Sequence, residues 1–382
     1  MWGRSGSDES VGSVHSEPLR TMGRRRFLDT LTAAGFSAGM AACLTADDFE
    51  AADDDEVPIV YGIGHDPDDP TTLTERVRTV PARWYDMLQA AYTARQNLSF
   101  IDIEGVVSTY VVPGSYDRPT PSIGVDVVDD AVRDLIPDLT GEIPIDVSSI
   151  EDAILPDAEE PDSYHVVDVE REVPGGIACT NGSGVATLTP ALYDASTGAA
   201  YFATARHLYE RDAGSLMSRS LSLMMKEGIA ELGKIKAVHD REDVLVVRPG
   251  TGFEPLNEIA GATPSTVSGQ FTRPGLADLL ARDANVEKVG ATTRHTAGKL
   301  HAIDAVTCIY GDPCNSAQIK WGNESIFSDG DSGSVSYHPD PDNPDENVMV
   351  VGFNNARTWW PGENYVWGTA AYALYNRFGY IF

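Results

Sequence analysis

Two kinds of apolar spacing divide this chain. Between Pro81 and Leu98, the residues Trp84, Met87, Leu88 and Ala91 recur at helical spacing, which predicts one helix with Pro81 in its first turn. Strand-like runs follow at Val106–Val112, then in the alternation Ile123, Val125, Val127, and again at Ile143, Ile145, Val147. A short helical piece, Asp130–Ile136, falls between the last two, so a small ββαβ unit is expected over about 96–150. Nothing in this unit has the residue types of a catalytic centre; it reads as a packing or folding module. Beyond about residue 164 the pattern changes. Short apolar runs (Val185–Leu188, Ala199–Thr204, Ile235–Val238, Val244–Val247, Val286–Gly290, Gly298–Val306 and Val348–Phe353) alternate with Gly, Pro and Asp turns. Only Leu276–Arg282 and Ala370–Phe378 look helical there. So many strands must dispose of their edges, which favours closed barrels.

The polar stretches between these units set the domain limits. Residues 44–80 and 151–163 are rich in Asp and Pro and read as exposed acidic linkers. The start of the chain reads as an address. Arg24-Arg25-Arg26-Phe27-Leu28 matches the twin-arginine pattern, and a weakly apolar run of small residues, interrupted by Asp29, leads to Cys43. The run is too short and too polar for a membrane span. Residues 1–43 are therefore expected to be a twin-arginine signal peptide, with the protein extracellular or held at the cell surface. Met40-Ala41-Ala42-Cys43 resembles a lipobox with Met in place of Leu, so Cys43 is a candidate for lipidation and for anchoring to the outer membrane face. The competing reading is a basic amphipathic helix on a cytosolic protein. The order of arginines, apolar run and small residues favours export.

Charge narrows the partners. The 382 residues hold 58 Asp and Glu against 28 Lys and Arg, a net charge of −30. Lysine is confined to Lys226, Lys234, Lys236, Lys288, Lys299 and Lys320. Such a composition resembles that of extremely halophilic archaea. Its self-repulsion opposes a compact state in dilute buffer, but at molar salt the screening length falls to about 3 Å. Disorder is the other reading of high charge, and 42% hydrophobic residues argue against it for most of the chain. Nucleic acid and anionic membrane surfaces are excluded as partners on charge. After Cys43 three cysteines remain. Cys308 and Cys314 would close a small loop around Gly311-Asp312-Pro313 in an oxidising compartment, leaving Cys179 free, and a pairing that involves Cys179 stays open. No His/Cys spacing matches a metal site, and no cofactor is expected. Asn97-Leu98-Ser99, Asn181-Gly182-Ser183 and Asn323-Glu324-Ser325 are glycosylation sequons compatible with export.

Chemistry enters at Asp329-Gly330-Asp331-Ser332-Gly333-Ser334. Glycines flanking Ser332 allow a sharp turn that exposes the hydroxyl and gathers amide N–H groups around it. A Gly/Asp/Ser cluster is more often a surface turn, so a base and an orienting acid must be found elsewhere. His207 stands out because a strand of small apolar residues, Tyr201–Ala205, delivers it to the edge of a core. Asp243 leads directly into Val244-Leu245-Val246-Val247, where a carboxylate needs a partner. Asp240 competes with it but sits among charged residues.

These residues carry a family resemblance. Thr204-Ala205-Arg206-His207 resembles the Thr-Ala-Ala-His motif of chymotrypsin-like (trypsin-like) serine peptidases. Asp243-Val244-Leu245-Val246 resembles their aspartate strand, and Gly330-Asp331-Ser332-Gly333-Ser334 their Gly-Asp-Ser-Gly-Gly motif, in the same order of His, Asp, Ser. Lys288–Thr293 leading to Thr296-Ala297-Gly298 looks like the strand pair before the serine in bacterial members. The likeness covers about residues 170–382 and is that of a haloarchaeal-type exported member. It implies an all-β double β-barrel (chymotrypsin-like) peptidase domain over 164–382, preceded by a small α+β N-terminal domain over 81–150. It implies Ser332 as nucleophile, His207 as general base, Asp243 as its orienting acid, and an oxyanion hole from the N–H groups of Gly330 and Ser332. Asp331 is expected in a buried ion pair whose partner is not readable.

The position that holds a pocket aspartate in trypsins is Ile326, so an apolar or small P1 side chain is expected, with Asp329 near the pocket mouth. Two departures stand out. Leu208 replaces the cysteine that often follows the histidine, and Ser334 replaces the second glycine. Arg171-Glu172-Val173-Pro174-Gly175-Gly176 resembles a bacterial group carrying an N-terminal accessory domain, so 81–150 is either such a domain or a removable pro-segment. The substrate would be a protein or peptide. An esterase, or a peptide-binding module on the same fold, is the alternative. The sequence assigns no oligomeric state.

Overall fold

The computed structural model describes residues 55–98, 102–149, 163–209, 216–308, 314–323, 326–358 and 365–382. The twin-arginine stretch and Cys43 lie outside them. The first described strand, β1 (Glu56–His65), buries six consecutive residues from Ile59 to Gly64. A second, β2 (Leu73–Pro81), returns after a turn built by acids: Asp66 Oδ1 accepts from Asp68 N (2.8 Å) and Asp69 Oδ1 from Thr71 N (3.1 Å). The acidic linker expected over 44–80 is thus corrected. From residue 56 onward this stretch is a hairpin-like pair of strands, and its aspartates make the turn between them.

Helix α1 (Ala82–Gln96) buries Trp84, Leu88 and Ala91 of the predicted face and Tyr92 beside them, while Met87 is half-buried against the same core and Pro81 stands at the N-cap, just ahead of the first turn. Then come β3 (Val106–Val112), β4 (Ser122–Val127), α2 (Asp130–Arg133), β5 (Leu139–Thr140) and β6 (Ile143–Ser149). β3 and β4 are antiparallel, and β4 and β6 are parallel across α2, which is the expected ββαβ order. Asp129 caps α2 by accepting from Ala131 N.

Two barrels follow. Ahead of the first, β7 (Glu172–Gly175) pairs with a strand of the second; the first itself uses β8 (Ala178–Thr180), β9 (Val185–Thr187), β10 (Leu192–Asp194), β11 (Ala200–Ala205), β12 (Ser220–Met225), β13 (Gly228–His239) and β14 (Val244–Pro249). Antiparallel pairing runs β9–β8–β12–β13–β14–β11, and Thr189 N donates to Ala203 O (3.0 Å), bringing the end of β9 back to β11. The second uses β15 (Glu254–Ile259), β16 (Thr266–Phe271), α3 (Arg273–Ala281), β17 (Asn285–Gly290), β18 (Arg294–Thr307), β19 (Asn315–Trp321), β20 (Val335–Pro339), β21 (Asn347–Thr358), β22 (Tyr365–Ala370) and α4 (Ala371–Phe378), and the last strand, β23 (Tyr380–Ile381), returns to pair with β10 of the first. Here the pairing closes on itself as β17–β18–β19–β22–β21–β20–β17. The double β-barrel implied by the sequence resemblance is therefore present, and closure removes most open edges.

The N-terminal strands are built into this frame. β18 is long: it pairs with β17 up to Lys299, and beyond that its freed edge is taken by β3, with Ile303 opposite Val111 and Thr307 opposite Ser108. β1 pairs with β16 through Gly62 and Phe271. One apolar core includes Trp84, Leu88, Val111 and Ile123 together with Ile303, Ile319, Trp321 and Val366. Val57–Phe382 accordingly forms one compact unit. Ion pairs cross the same seam, Arg76 to Asp340 and Arg78 to Asp278 (2.8 Å).

Trp84 is fully buried in the shared core, and its indole N–H donates to Gly114 O (3.3 Å). Trp84→Ala is expected to lower unfolding free energy by about 3–5 kcal/mol, in a single transition that involves both barrels. Denaturant titration at molar salt checks this; a loss under about 1 kcal/mol would contradict the shared core.

Candidate active site

The base and its acid are delivered by one strand pair. β11 and β14 run antiparallel to a last partnership of Ala205 with Val244. Just beyond it, Arg206 and His207 leave one strand as Asp243 enters the other. Asp243 takes the left-handed conformation (φ 57°), which turns its carboxylate back across the strand end. Its carbonyl accepts from Arg206 N (2.8 Å), its Oδ1 from His207 N (2.9 Å), and its Oδ2 lies 2.6 Å from His207 Nδ1. Both carboxylate oxygens thus hold one residue. A proton on Nδ1 satisfies Oδ2 and leaves Nε2 as the free acceptor. The histidine side chain is 51% exposed and the aspartate 14%, so the outer face of the ring is open to a reactant. Desolvation opposes the imidazolium, but the charge and hydrogen bond of Asp243 outweigh it and raise the pKa above the ordinary value. Asp240, the competing acid, is placed elsewhere: it pairs with Arg206 Nε at 2.6 Å and stays exposed.

The cysteine missing at Leu208 has a replacement. Asn181 Nδ2 donates to Leu208 O, while Asn181 Oδ1 accepts from Ser183 N (2.9 Å) and Gly184 N (2.8 Å). A side-chain amide, rather than a disulfide, braces the turn after the base. The amide of the central sequon is therefore engaged in the fold.

The serine turn is organised by Asp331, which is fully buried. Its Oδ1 accepts from Thr292 N (2.9 Å) and Thr293 N (3.0 Å); its Oδ2 accepts from Ser328 N (2.9 Å) and Thr293 Oγ1 (2.6 Å). The unread ion-pair partner is Lys288, also fully buried, with Nζ 3.3 Å from Asp331 Oδ2. Burial drives the Lys288 pKa down, and Asp331 only partly restores it. Gly290 makes room for this carboxylate, since a Cβ there would overlap Asp331 Oδ1.

Around the turn, Asp331 N donates to Ser328 O (3.0 Å), Gly333 N to Asn354 O (2.8 Å) and Ser334 N to Asp331 O (2.9 Å). Among the described residues, the N–H groups of Gly330 and Ser332 donate to no protein acceptor. The two amides expected to hold an oxyanion are thus the two left available. Gly330 and Gly333 both have φ +94°, a left-handed conformation that glycine adopts without strain.

Sequence reasoning missed Thr187, which joins the two barrels at this point. Its N–H donates to Ser332 O (2.8 Å), its Oγ1 to Gly330 O (2.8 Å), and the same Oγ1 accepts from Ala291 N (2.8 Å). Thr187 O in turn accepts from Thr204 Oγ1 (2.7 Å), three residues before the base. Gly333 backs onto this contact: an added Cβ would lie 2.6 Å from Thr204 Oγ1 and 2.9 Å from Ala205 N. The turn that carries Ser332 is therefore packed against the end of β11, two residues before His207. No hydrogen bond joins Ser332 Oγ to the His207 ring among the described residues, as is common in unliganded sites. Nothing in the strand Val185–Leu188 distinguishes Thr187 by sequence.

The remaining predicted residues fall around this centre. Ile326 is 7% exposed and packs on Gly322, Gly298 and Val366, so it belongs to the core more than to an open pocket floor. Asp329 is exposed and lies 3.4 Å from Arg357 Nη2, while Arg357 Nη1 donates to Phe327 O (3.1 Å). Arg357 thus bridges from β21 to the segment just before Ser332. Cys308 and Cys314 are joined as a disulfide, and Cys179 is buried and free. The other described histidines serve elsewhere; His295 meets Glu287 and His338 meets Asn285 O, for example. Among the described residues no group of three or more His, Cys, Asp or Glu side chains is arranged to hold a metal ion.

No family model and no curated protein matches the chain. Several solved structures are similar over 55% of it. A glutamic acid-specific serine protease, described as using a histidine triad in substrate binding, is 20% identical with 99% of its own chain covered and a TM-score of 0.42. A Nocardiopsis protease is 20% identical with 97% covered (TM-score 0.40), and an α-lytic protease homologue is 17% identical with 98% covered (TM-score 0.39).

Two outcomes follow from the geometry. The His207 ring should titrate with a midpoint above the ordinary 6.5, and Asp243→Asn should move that midpoint down; an NMR titration reads both. Asp331→Asn leaves Lys288 buried without its carboxylate and should destabilise the fold by about 3–5 kcal/mol in denaturant titration.

Proposed function

We propose that the chain is a serine endopeptidase that works through Ser332, His207 and Asp243. The observation that carries this reading is the pairing of an oriented base with available amides. His207 has Nδ1 tied to Asp243 Oδ2 at 2.6 Å, and the Gly330 and Ser332 N–H groups stand open at the serine turn. Ser332 Oγ attacks the scissile carbonyl carbon as His207 Nε2 takes its proton. The carbonyl oxygen becomes an oxyanion held by the two amides, each such donor being worth about 10²–10³ in rate. Collapse of the tetrahedral species breaks the C–N bond, and His207 gives its proton to the leaving amine. Water then repeats the sequence on the acyl-enzyme. Asp243 keeps the tautomer and stabilises the transient imidazolium.

Basic P1 side chains are disfavoured. No carboxylate stands at position 326, whose isoleucine is drawn into the core, and the positive Arg357 donates to Phe327 O just before the serine turn. An apolar or small P1 side chain suits this cleft, and cleavage strictly after Lys or Arg in a peptide-library digest would refute it. The net charge of −30 suits work at molar salt. The twin-arginine stretch supports export to the cell surface or beyond, with Cys43 as a lipid anchor point. The disulfide between Cys308 and Cys314 fits an oxidising compartment.

Ser332→Ala is expected to abolish peptide hydrolysis and labelling by a fluorophosphonate, both measured at molar salt. Undiminished turnover in that variant removes the proposal.

A further inference from the structure

We infer that residues 57–149 remain in the mature peptidase as a working part, and that Asp126 is a positioning residue for the wall of its substrate cleft. The inference rests on the peptidase reading above. It starts from Lys320 on β19, which is 4% exposed. Its ammonium lies within an aromatic cage, 4.6 Å from the ring of Tyr110, 4.3 Å from Tyr365 and 5.5 Å from Trp367. Aromatic faces attract a cation, but a buried ammonium still needs a carboxylate. Asp126 on β4 supplies it, 1% exposed and 3.3 Å away. Asp126 is itself held by Ser108 Oγ and by Tyr110 OH (3.1 Å), both on β3. The counter-charge and its supports therefore come wholly from the N-terminal sheet.

The same lysine sits in the frame of the cleft. Lys320 is opposite Trp367 in the β19–β22 pair, and Val366 is opposite Arg357 in the β22–β21 pair. Arg357 reaches Phe327 O and Asp329 beside the nucleophile turn, and Asn354 on the same β21 accepts from Gly333 N. Asp126 thus acts on the cleft through three adjacent strands without touching substrate. Loss of residues 57–149 would strand the Lys320 charge, reopen the β18 edge at residues 303–307 and remove half of a shared core. A removable pro-segment should leave a self-sufficient core behind. This one would not.

The full-length chain tests the inference. Folded at molar salt, it should be labelled by a fluorophosphonate, and N-terminal sequencing of the labelled species should find residues 57–149 still attached by an unbroken chain. A labelled species that begins after residue 149 overturns the inference and leaves the peptidase reading standing. No labelling at all overturns both. Asp126→Asn, with active sites counted by the label, should raise KM for a peptide about tenfold while kcat per labelled site stays near wild type. The double variant Asp126→Asn with Lys320→Met removes both charges and should restore most of the affinity. If Asp126→Asn does not fold, the double variant alone must fold and bind peptide normally. An unchanged KM in the single variant, an equal fall of kcat, or a double variant no better than the single one sinks the positioning role.

Discussion

The site depends first on one residue of the first barrel, Thr187, that holds the serine turn of the second. Thr187 meets Gly330 O through its hydroxyl and Ser332 O through its N–H, and its own carbonyl is held by Thr204 on the strand that ends at the base. Neither barrel contains a complete reacting group. The hydroxyl and the amides belong to one, the imidazole and the carboxylate to the other, and a shift of about 1 Å between them is enough to lose much of the rate. Three hydrogen bonds at a fully buried residue set that register, in a place where water does not compete for them.

A second constraint is electrostatic. The surface is strongly anionic, yet two of the six lysines are inside, Lys288 at Asp331 and Lys320 at Asp126. Molar salt weakens exposed pairs but screens buried ones far less. Both internal pairs therefore persist in the solvent that the acidic surface requires. One lies at the serine turn and the other at the seam where β4 meets β19 and β22. A buried pair contributes little net stability, but it tolerates few alternative arrangements once it is formed.

Much of this was legible in the residues. The strand before His207, the aspartate at the head of Val244–Val247 and the glycines around Ser332 each marked a position by local pattern, and the structure brings the first two together as read. The ββαβ unit followed directly from alternation and a short helical gap. Other features had no local signature. The strand Ile59–Ile63 was hidden by flanking acids that turned out to build a turn. Ser220–Met225 and Asn315–Trp321 mix polar and apolar residues in ways that only tertiary pairing resolves. Lys288 as partner of Asp331 and Thr187 as the barrel clamp depend on contacts between distant segments. Ile326 occupied the family's pocket position in sequence, but the absence of side chains at Gly298 and Gly322 draws it into the core.

The seams that join the N-terminal strands to the second barrel span most of the chain. Val60 O accepts from Thr272 Oγ1 across 212 positions, and Arg76 meets Asp340 across 264. Closing such loops adds little to the equilibrium cost, because that cost grows only with the logarithm of length. The kinetic effect is larger, since chains dominated by distant pairings fold slowly. Local hairpins can form early, but Ser332 acquires its surroundings only when Thr187 of the first barrel has docked on the second. A half-folded chain of this topology has not yet brought the serine turn against the strand that ends at His207, so the proposed peptide hydrolysis has no site to act from during the slow interval before closure.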